Sequence, residues 1–307
     1  MSRFKSYLSL VKFSHTLFAL PFAMIGFFLG IFGWKNFHEI TWSDNIYDTK
    51  SFGTSVLLVR FILVLICMIS ARSAAMAFNR YLDRHFDARN PRTAIREIPR
   101  GIISPGSALR FVVFCCLLFI ITCGFINPLC LYLSPVALFV ILFYSFTKRF
   151  TSLCHIVLGV GLSLAPIGAF LAVTGHFELV PLLFSGAVIC WVSGFDIIYA
   201  MQDTDFDKSE KLFSVPSTFG KKHALHISGF LHLLSTIFVL TAGFVGGFGL
   251  WYWIGLIFFT GMLVYQHTIV KPNDLSRVNV TFMTANGIAS VVFAVFVITD
   301  MFITHNH

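Results

Sequence analysis

The sequence predicts an all-α, polytopic membrane protein of about nine transmembrane helices around a central cavity capped by cytoplasmic loops. Of its 307 residues, 57% are hydrophobic and only 12% are charged, which is more apolar surface than a water-soluble domain can bury. The apolar residues form long runs that, with their neutral flanks, reach the roughly 17–25 residues a helix needs to cross hydrocarbon. Helices are favoured over a membrane β-barrel because these runs are continuously apolar, whereas the strands of a barrel show short alternating segments.

Nine spans are predicted, and we expect them to form a single membrane domain over residues 1–307. The first follows a basic N-terminus without a small-residue cleavage site after a compact apolar core, so we expect this helix to be retained. The second, third and ninth contain the apolar runs 56–67, 111–125 and 280–298, and the five others are similar runs between short connections. In chain order, the spans are 15–33, 56–78, 108–126, 129–146, 153–173, 179–201, 224–246, 249–269 and 280–303.

The distribution of basic residues predicts the orientation of these spans. Lys and Arg lie mainly in the N-terminus and in alternate loops, at 72–110, 148–149, 208–222 and 271–277, whereas the connections near 127, 175 and 247 carry none. By the positive-inside rule the basic side is cytoplasmic, with the N-terminus inside and the C-terminus outside a bacterial inner membrane. The net charge of +8 then reflects topology and contact with the lipid bilayer, so we expect no nucleic-acid partner and no obligatory protein partner.

Cysteine and histidine residues show no metal-binding pattern. All seven cysteines lie within predicted spans without C-x-x-C or mixed Cys/His spacing, so we expect them to be reduced packing residues. The eleven histidines are equally scattered along the chain, and we assign none of them a chemical role.

Acidic residues are concentrated in two segments that each follow an apolar span. Because an even number of predicted spans separates the two segments, both lie at the same membrane face and their carboxylates can converge. Together the segments contain eight of the fourteen Asp and Glu residues. The first contains Asp83, Asp87 and Glu97, and the second contains Asp196, Asp203, Asp205, Asp207 and Glu210.

Helical spacing places most of these acids on one face in each segment. At about 100° per residue, steps of three, four or seven residues keep side chains within a stripe roughly 100° wide. Asp205 falls outside its stripe and points nearly the opposite way. The first stripe contains Arg72, Asn79, Asp83 and Asp87, and the second contains Asp196, Tyr199, Asp203 and Asp207.

Carboxylates held this close repel one another, so the pattern predicts a bound cation. Mg²⁺ suits oxygen ligands from both segments and completes its coordination with water and phosphate oxygens. Basic side chains near the acids are suited to pair with the same phosphate groups; they are Arg72, Arg92, Arg96 and Lys148. For Glu97, Asp205 and Glu210, a solvated loop without chemistry is an equally good interpretation.

Three motifs in register resemble those of a known family. Residues 79–87 (NRYLDRHFD), followed by 91–94 (PRTA) and 96–101 (REIPRG), resemble the first signature of the UbiA superfamily of intramembrane prenyltransferases, N-D-x-x-D-x-x-x-D. Residues 199–207 (YAMQDTDFD) resemble its second signature, D-x-x-x-D, and residues 144–149 (YSFTKR) are similar to its Y-x-x-x-K loop. Span count, motif order and sidedness extend the resemblance over the whole chain.

One position departs from the family pattern. Arg80 stands where the commonest form has Asp, and position 80 lies about 100° away from the Asn79 stripe. We therefore expect that this position is not an indispensable metal ligand and that Arg80→Asp leaves activity largely intact. Together with residues 12–21 (KFSHTLFALP) and the REIP segment, the departure resembles a 4-hydroxybenzoate polyprenyltransferase-like branch linked to menaquinone made through futalosine.

The resemblance implies Mg²⁺-dependent transfer of a polyprenyl group from polyprenyl diphosphate to an aromatic acid of the 4-hydroxybenzoate type, in respiratory quinone (ubiquinone) biosynthesis. In the alternative branch the acceptor is a dihydroxynaphthoate for menaquinone. The implied metal ligands are Asn79, Asp83, Asp87, Asp203 and Asp207, and the implied diphosphate ligands are Arg72, Lys148, Arg92 and Arg96. The implied catalytic residues are Asp196 as proton acceptor, Tyr144 and Tyr199 as shields of the allylic cation, and Lys148 and Arg72.

A multi-span transporter is the alternative from another functional class, because intramembrane charges often mark solute pathways. A transport site is expected near the midplane of the membrane. The charges here gather at one face instead, which favours the enzyme.

Overall fold

The computed structural model describes residues 7, 9–11, 19–32 and 54–305, and within them the chain is helical without an extended strand. The α-helices are α1 (Leu20–Phe32), α2 (Thr54–Leu82), α3 (Arg84–Arg89), α4 (Pro105–Ile126), α5 (Pro128–Thr147), α6 (Cys154–Thr174), α7 (Leu179–Ala200), α8 (Thr204–Ser209), α9 (Val215–Gly246), α10 (Leu250–Ile269) and α11 (Asn286–His305). A 3₁₀ turn (Met201–Asp203) joins α7 to α8, and a π-helical turn (Val280–Ala285) precedes α11.

Seven of the described helices are long and apolar enough to cross a membrane, and the protein is an integral membrane protein. The predicted all-α membrane architecture is therefore confirmed. The count of nine is not, because α1 is shorter, with 13 residues, and α10 is not among the seven. Residues 15–18 and 33 of the predicted first span lie outside the described part of the chain.

Helices α2 and α9 extend furthest beyond their predicted bounds. Helix α2 continues to Leu82, four residues past the apolar stretch, and carries the first residues of the acidic motif with it. Helix α9 begins at Val215 because Ser214 forms a capping box with Ser217 and proline occupies the first turn. Gly220 then interrupts α9 with a φ of 79°, a conformation that favours glycine.

Asn127 organises the junction between three helices. Its extended backbone ends α4, and its side-chain oxygen caps α5 by accepting from the Cys130 N–H at 2.8 Å. Its Nδ2 donates to the Leu171 carbonyl of α6 at 2.8 Å. A single buried amide therefore satisfies backbone groups at both ends of a helical hairpin.

Helix α7 is the centre of the bundle. Its Trp191 is fully buried against aromatic side chains of α1 and α10, and the Trp191 indole N–H donates to Asn286 Oδ1, at the start of α11, at 3.0 Å. The outward faces carry large exposed apolar side chains, for example Phe125 and Ile257 at 76% and 73% exposure. Such faces suit lipid, whereas the ends of α2, α5, α6 and α7 meet around a polar cavity.

Candidate active site

A cavity of about 260 Å³ lies between α2, α5, α6 and α7, beside the loop 90–103. Side chains from both acidic segments line it, so the two sets of carboxylates converge. Of the residues predicted to form the site, Asp207 alone does not line the cavity. The others do, namely Arg72, Asn79, Asp83, Asp87, Arg92, Arg96, Tyr144, Lys148, Asp196, Tyr199 and Asp203.

The first motif faces the cavity because four-residue steps continue past the end of α2. The Asp83 N–H donates to the Asn79 carbonyl at 2.9 Å, and the Asp87 N–H donates to the Asp83 carbonyl at 2.8 Å. Asn79 Nδ2 also donates to Asp83 Oδ2 at 3.2 Å. The four-residue helical spacing therefore continues across the boundary between α2 and α3 at Asp83, and the three side chains lie on one face.

The second motif is divided between the cavity and the protein interior. Asp203 lines the cavity, and Asp205 is exposed on the opposite side of α8, as its spacing predicts. Asp207 is fully buried, with Lys148 Nζ at 2.7 Å and Ser214 Oγ at 2.9 Å from its carboxylate. Lys148 itself lines the cavity, so Asp207 lies behind it.

The two carboxylates of the first motif are each held by a basic side chain. Arg149 lies 3.1 Å from Asp83 and Arg96 lies 2.7 Å from Asp87. Such pairing offsets the cost of removing the charges from water. Burial raises the pKa of Asp83 above its ordinary value, the Asp87 carboxylate adds to this shift, and Arg149 opposes it.

Arg92 connects the loop to the second motif. It forms an ion pair with Asp203, donates from Nη1 to the Tyr199 hydroxyl at 2.8 Å, and lies 5.2 Å from the centre of the Tyr199 ring. Asn90 Nδ2 donates to Asp203 Oδ1 at 3.0 Å. Burial alone would lower the pKa of Arg92, but the hydrogen bond to Asp203 raises it above its usual range, so the guanidinium stays charged.

Lys148 is likewise kept charged. Its burial would lower the pKa of the ammonium group, but the adjacent Asp207 carboxylate raises that pKa above its ordinary value. The Arg72 Nε is buried and donates to no group in the described chain, and the same is true of the Nε of Arg149, which also lines the cavity. A polyanion entering the cavity would therefore meet a charged lysine and an arginine with donor capacity to spare.

The oxygen donors of the cavity fit a hard divalent cation. Asp87 Oδ2 is buried and accepts no hydrogen bond from the described residues, which leaves a carboxylate oxygen for a metal. In the part of the chain the structure describes, no three His, Cys, Asp or Glu side chains form a ready-made metal cluster. Mg²⁺ usually binds only a few protein ligands, and phosphate oxygens and water complete its coordination shell.

Comparison with known proteins identifies the family. Residues 19–288 match the UbiA prenyltransferase family. The chain belongs to this family. It is therefore a membrane-embedded prenyltransferase, as the three sequence motifs predict.

Curated relatives are about a third identical to this chain over the aligned residues. A 4-hydroxybenzoate octaprenyltransferase of Aeromonas salmonicida is 31% identical over 222 residues, which cover 72% of this chain and 76% of the relative. A protein of the same name from Paraburkholderia phymatum is 34% identical over 238 residues, which cover 78% and 82% of the two chains.

Solved UbiA structures share the fold over nearly the whole chain. A UbiA homologue from Aeropyrum pernix superposes with a TM-score of 0.75 at 26% identity, covering 94% of this chain and 98% of that one. A UbiA homologue from Archaeoglobus fulgidus, bound to GPP and Mg²⁺, superposes with a TM-score of 0.67 at 19% identity, covering 96% and 99%.

The departure of this UbiA chain at position 80 has a structural explanation. Arg80 is buried and its Nη1 lies 2.7 Å from Glu97 Oε2. Ser9 donates to the other oxygen of Glu97, and the Glu97 carbonyl accepts from the Ile102 and Ile103 N–H groups. The pair joins α2 to the loop that carries Arg92.

This geometry changes two expectations. We no longer expect Arg80→Asp to be mild, because an aspartate at position 80 would face the buried Glu97 carboxylate and repel it. The solvated-loop interpretation is wrong for Glu97, which is 9% exposed. It fits Asp205, which is exposed, while Glu210 forms an ion pair with Arg89 at 2.9 Å.

His155 is a cavity residue to which the sequence interpretation assigned no role. Its Nδ1 lies 2.7 Å from Asp196 Oδ2, and its Nε2 accepts from the Val215 N–H at 3.3 Å. Because Nε2 accepts, the ring proton lies on Nδ1 and is donated to Asp196. One signal was present in the sequence, since His155 is an ionisable residue just inside a span, as are Arg72 and Asp196.

We expect His155→Ala to lower kcat by roughly tenfold to a hundredfold, as loss of a group that orients a site residue commonly does. The KM for prenyl diphosphate should change little, because His155 contacts Asp196 and not the basic side chains. His155→Asn, whose amide N–H can replace Nδ1–H, should restore most of the rate. Steady-state kinetics on the three proteins would test this, and an equal loss in both variants would show that His155 only packs.

Proposed function

We propose that this UbiA protein transfers a polyprenyl group from polyprenyl diphosphate to an aromatic acid of the 4-hydroxybenzoate type, in respiratory quinone biosynthesis. One observation carries the proposal: the carboxylates of Asp83, Asp87 and Asp203 open into the same cavity as Arg72. The names of the curated relatives and the GPP and Mg²⁺ bound to the Archaeoglobus fulgidus homologue support it. We further propose that the cavity opens on the cytoplasmic side of a bacterial inner membrane, and the distribution of basic loops supports this orientation.

The two acidic motifs bind the metal ions in this proposal. The proposed Mg²⁺ ligands are Asn79, Asp83, Asp87, Asp203 and Asp207. When bound, Mg²⁺ neutralises diphosphate charge and so assists departure of the leaving group. Asp207 is the most enclosed of the set, and Lys148 lies between it and the cavity.

The basic residues bind the diphosphate. The proposed ligands are Arg72, Lys148, Arg92 and Arg96. Arg92 and Arg96 are held by Asp203 and Asp87, so their guanidinium groups already lie beside the carboxylates that would share the same anion. Donors fixed in this way stabilise the charge that develops on the leaving oxygen without reorganisation at the moment of reaction.

The acceptor ring attacks the allylic carbon of the prenyl chain through the carbon ortho to its hydroxyl. A carbon–carbon bond forms, the carbon–oxygen bond to diphosphate breaks, and the ring proton passes to Asp196 or to the released diphosphate. Asp196 takes a hydrogen bond from His155 on Oδ2. That bond fixes the carboxylate at the cavity wall.

Aromatic side chains shield the allylic cation. Tyr144 and Tyr199 line the cavity, and the Tyr199 ring is held by Phe282 at 4.2 Å between ring centres. An aromatic face attracts a nearby cation, and the Arg92 guanidinium lies over the Tyr199 ring. This contact supports the proposed role of the Tyr199 ring beside a cation.

The prenyl chain follows the apolar side of the cavity. That side is formed by Leu158 and Leu162 of α6, Val192 and Phe195 of α7, and Phe282. A tail of many isoprene units is too long for the cavity alone. We therefore propose that it leaves between helices into lipid, where its hydrocarbon costs nothing to accommodate.

The purified protein in lipid, supplied with Mg²⁺ and one polyprenyl diphosphate, should convert 4-hydroxybenzoate to the prenylated acid and release diphosphate. A parallel reaction with a dihydroxynaphthoate tests the menaquinone alternative, and the faster acceptor identifies the branch. Removal of Mg²⁺ by chelation should stop both reactions. If no aromatic acid in a broad panel is prenylated while vesicles containing the protein take up solute, the transporter alternative is favoured.

A further inference from the structure

A second cavity lies at the same end of the bundle as the active site and shares no lining residue with it. It is about 380 Å³ in volume and lies between the start of α9 and the end of α10. Because α9 follows directly from the second acidic motif and α10 returns antiparallel to it, both ends face the membrane surface at which the diphosphate site opens. Its polar lining residues are Lys222, His226, His267 and Lys271.

Both lysines of this cavity are exposed, and among the described residues neither forms an ion pair. The nearest acidic group along the chain is Asp274, whose backbone pairs with that of Lys271. The Asp274 carboxylate is itself bound by Ser276, whose hydroxyl lies 2.6 Å away. His267 Nε2 is already 2.9 Å from His232 Nδ1, so the two lysines carry the charge of the pocket. Two ammonium groups thus share a pocket without a dedicated counter-ion, which predicts affinity for an anion.

The backbone adds to this preference. The break at Gly220 separates the first turn of α9 from the rest, so Lys222 lies at the beginning of the long regular part of the helix. The positive end of its dipole favours negative charge at this point. His226 follows one turn later on the same face.

Apolar stripes descend from the cavity on both helices. On α9, steps of four and three residues from His226 reach Phe230 and Leu233, which are 59% and 56% exposed. On α10, steps of three and ten residues back from His267 reach Val264 and Ile257, which are 59% and 73% exposed. A basic pocket at the membrane surface therefore continues into an exposed hydrocarbon-like surface.

We propose that this cavity binds the phosphate headgroup of an anionic phospholipid, whose acyl chains lie along the apolar stripes of α9 and α10. The occupant is a lipid and not a free phosphate ion because the charge and the exposed apolar stripes are continuous. Basic pockets between helices at the membrane surface are suited to such headgroups. The bound lipid would fix the ends of α9 and α10 beside the second acidic motif without touching the reactants.

The test compares thermal unfolding of the purified protein in neutral detergent during titration with phosphatidylglycerol. Phosphatidylglycerol should raise the unfolding temperature of the wild type, whereas phosphatidylcholine should not. Lys222→Gln/Lys271→Gln should need roughly thirtyfold more lipid for the same shift, since each lysine near the surface contributes about a factor of five. The matched control Lys208→Gln/Arg110→Gln removes two exposed charges elsewhere and should respond as the wild type does.

Three further measurements decide between occupants. Prenyltransferase activity of the lysine variant in neutral lipid should equal that of the wild type, which excludes a folding defect. Inorganic phosphate should give no comparable shift, and Phe230→Ala should weaken the lipid effect alone. If phosphate protects as well as the lipid does, the pocket is a free-anion site; if the lysine variant keeps its full lipid response, the pocket does not bind the headgroup. Either result overturns the proposal.

Discussion

Replacing Asp203 with alanine is expected to lower kcat by roughly a hundredfold to a thousandfold, the usual cost of removing one group that stabilises a developing charge. The loss has two sources. The change removes a proposed Mg²⁺ ligand, and it frees Arg92 from the contact that holds it at the cavity wall. Steady-state kinetics with a polyprenyl diphosphate and the preferred aromatic acid would measure the effect, with membrane insertion unchanged.

Asp205→Ala is the matched control, because Asp205 lies two residues away in the same motif but is exposed on the other face of α8. Its kcat should stay within about twofold of the wild type, as expected for an exposed side chain that pairs with no described residue. An equal loss of kcat in both variants would show that the substitutions disrupt helix α8, and that the loss does not come from the cavity carboxylate. The same large loss is expected for Asp83→Ala, Asp87→Ala and Asp207→Ala.

Local periodicity explains why so much of the fold and of the cavity could be predicted. The apolar runs fix the helices because each must satisfy its own backbone in lipid. Side chains four residues apart stay on one face, so the Asp83 and Asp87 pair could be placed before any contact was known. The same arithmetic separated the exposed Asp205 from the cavity-lining Asp203.

Pairings between distant segments could not be predicted in this way. His155 meets Asp196 only because α6 packs against α7, and their separation of 41 residues carries no periodic signal. Asp207 shares a stripe with Asp203, yet it is buried behind Lys148 because the chain turns into α9 directly after it. Helical spacing predicts the direction of a side chain on its own helix, but it does not predict which residues of other segments pack over it.

The same limit applies to Arg80, whose partner Glu97 lies in a loop without regular structure. Replacing Arg80 with methionine should lower the free energy of unfolding by about 3–5 kcal/mol, because it leaves the Glu97 carboxylate buried without its cation. The KM for prenyl diphosphate should rise at the same time, since the loop that Glu97 anchors carries Arg92 and Arg96. Thermal unfolding in detergent and steady-state kinetics would measure the two effects.

The double variant Arg80→Met/Glu97→Leu separates two effects of the single change: the unpaired charge on Glu97 and the loss of the contact that holds the loop to α2. With both charges removed and the volume retained, a buried pair can be replaced at little cost, so the unfolding temperature should return close to that of the wild type. The KM should recover with it if Arg80 acts only by holding the loop in place. A double variant that is stable but still binds the diphosphate weakly would show instead that Arg80, which also borders the cavity, contacts the substrate directly.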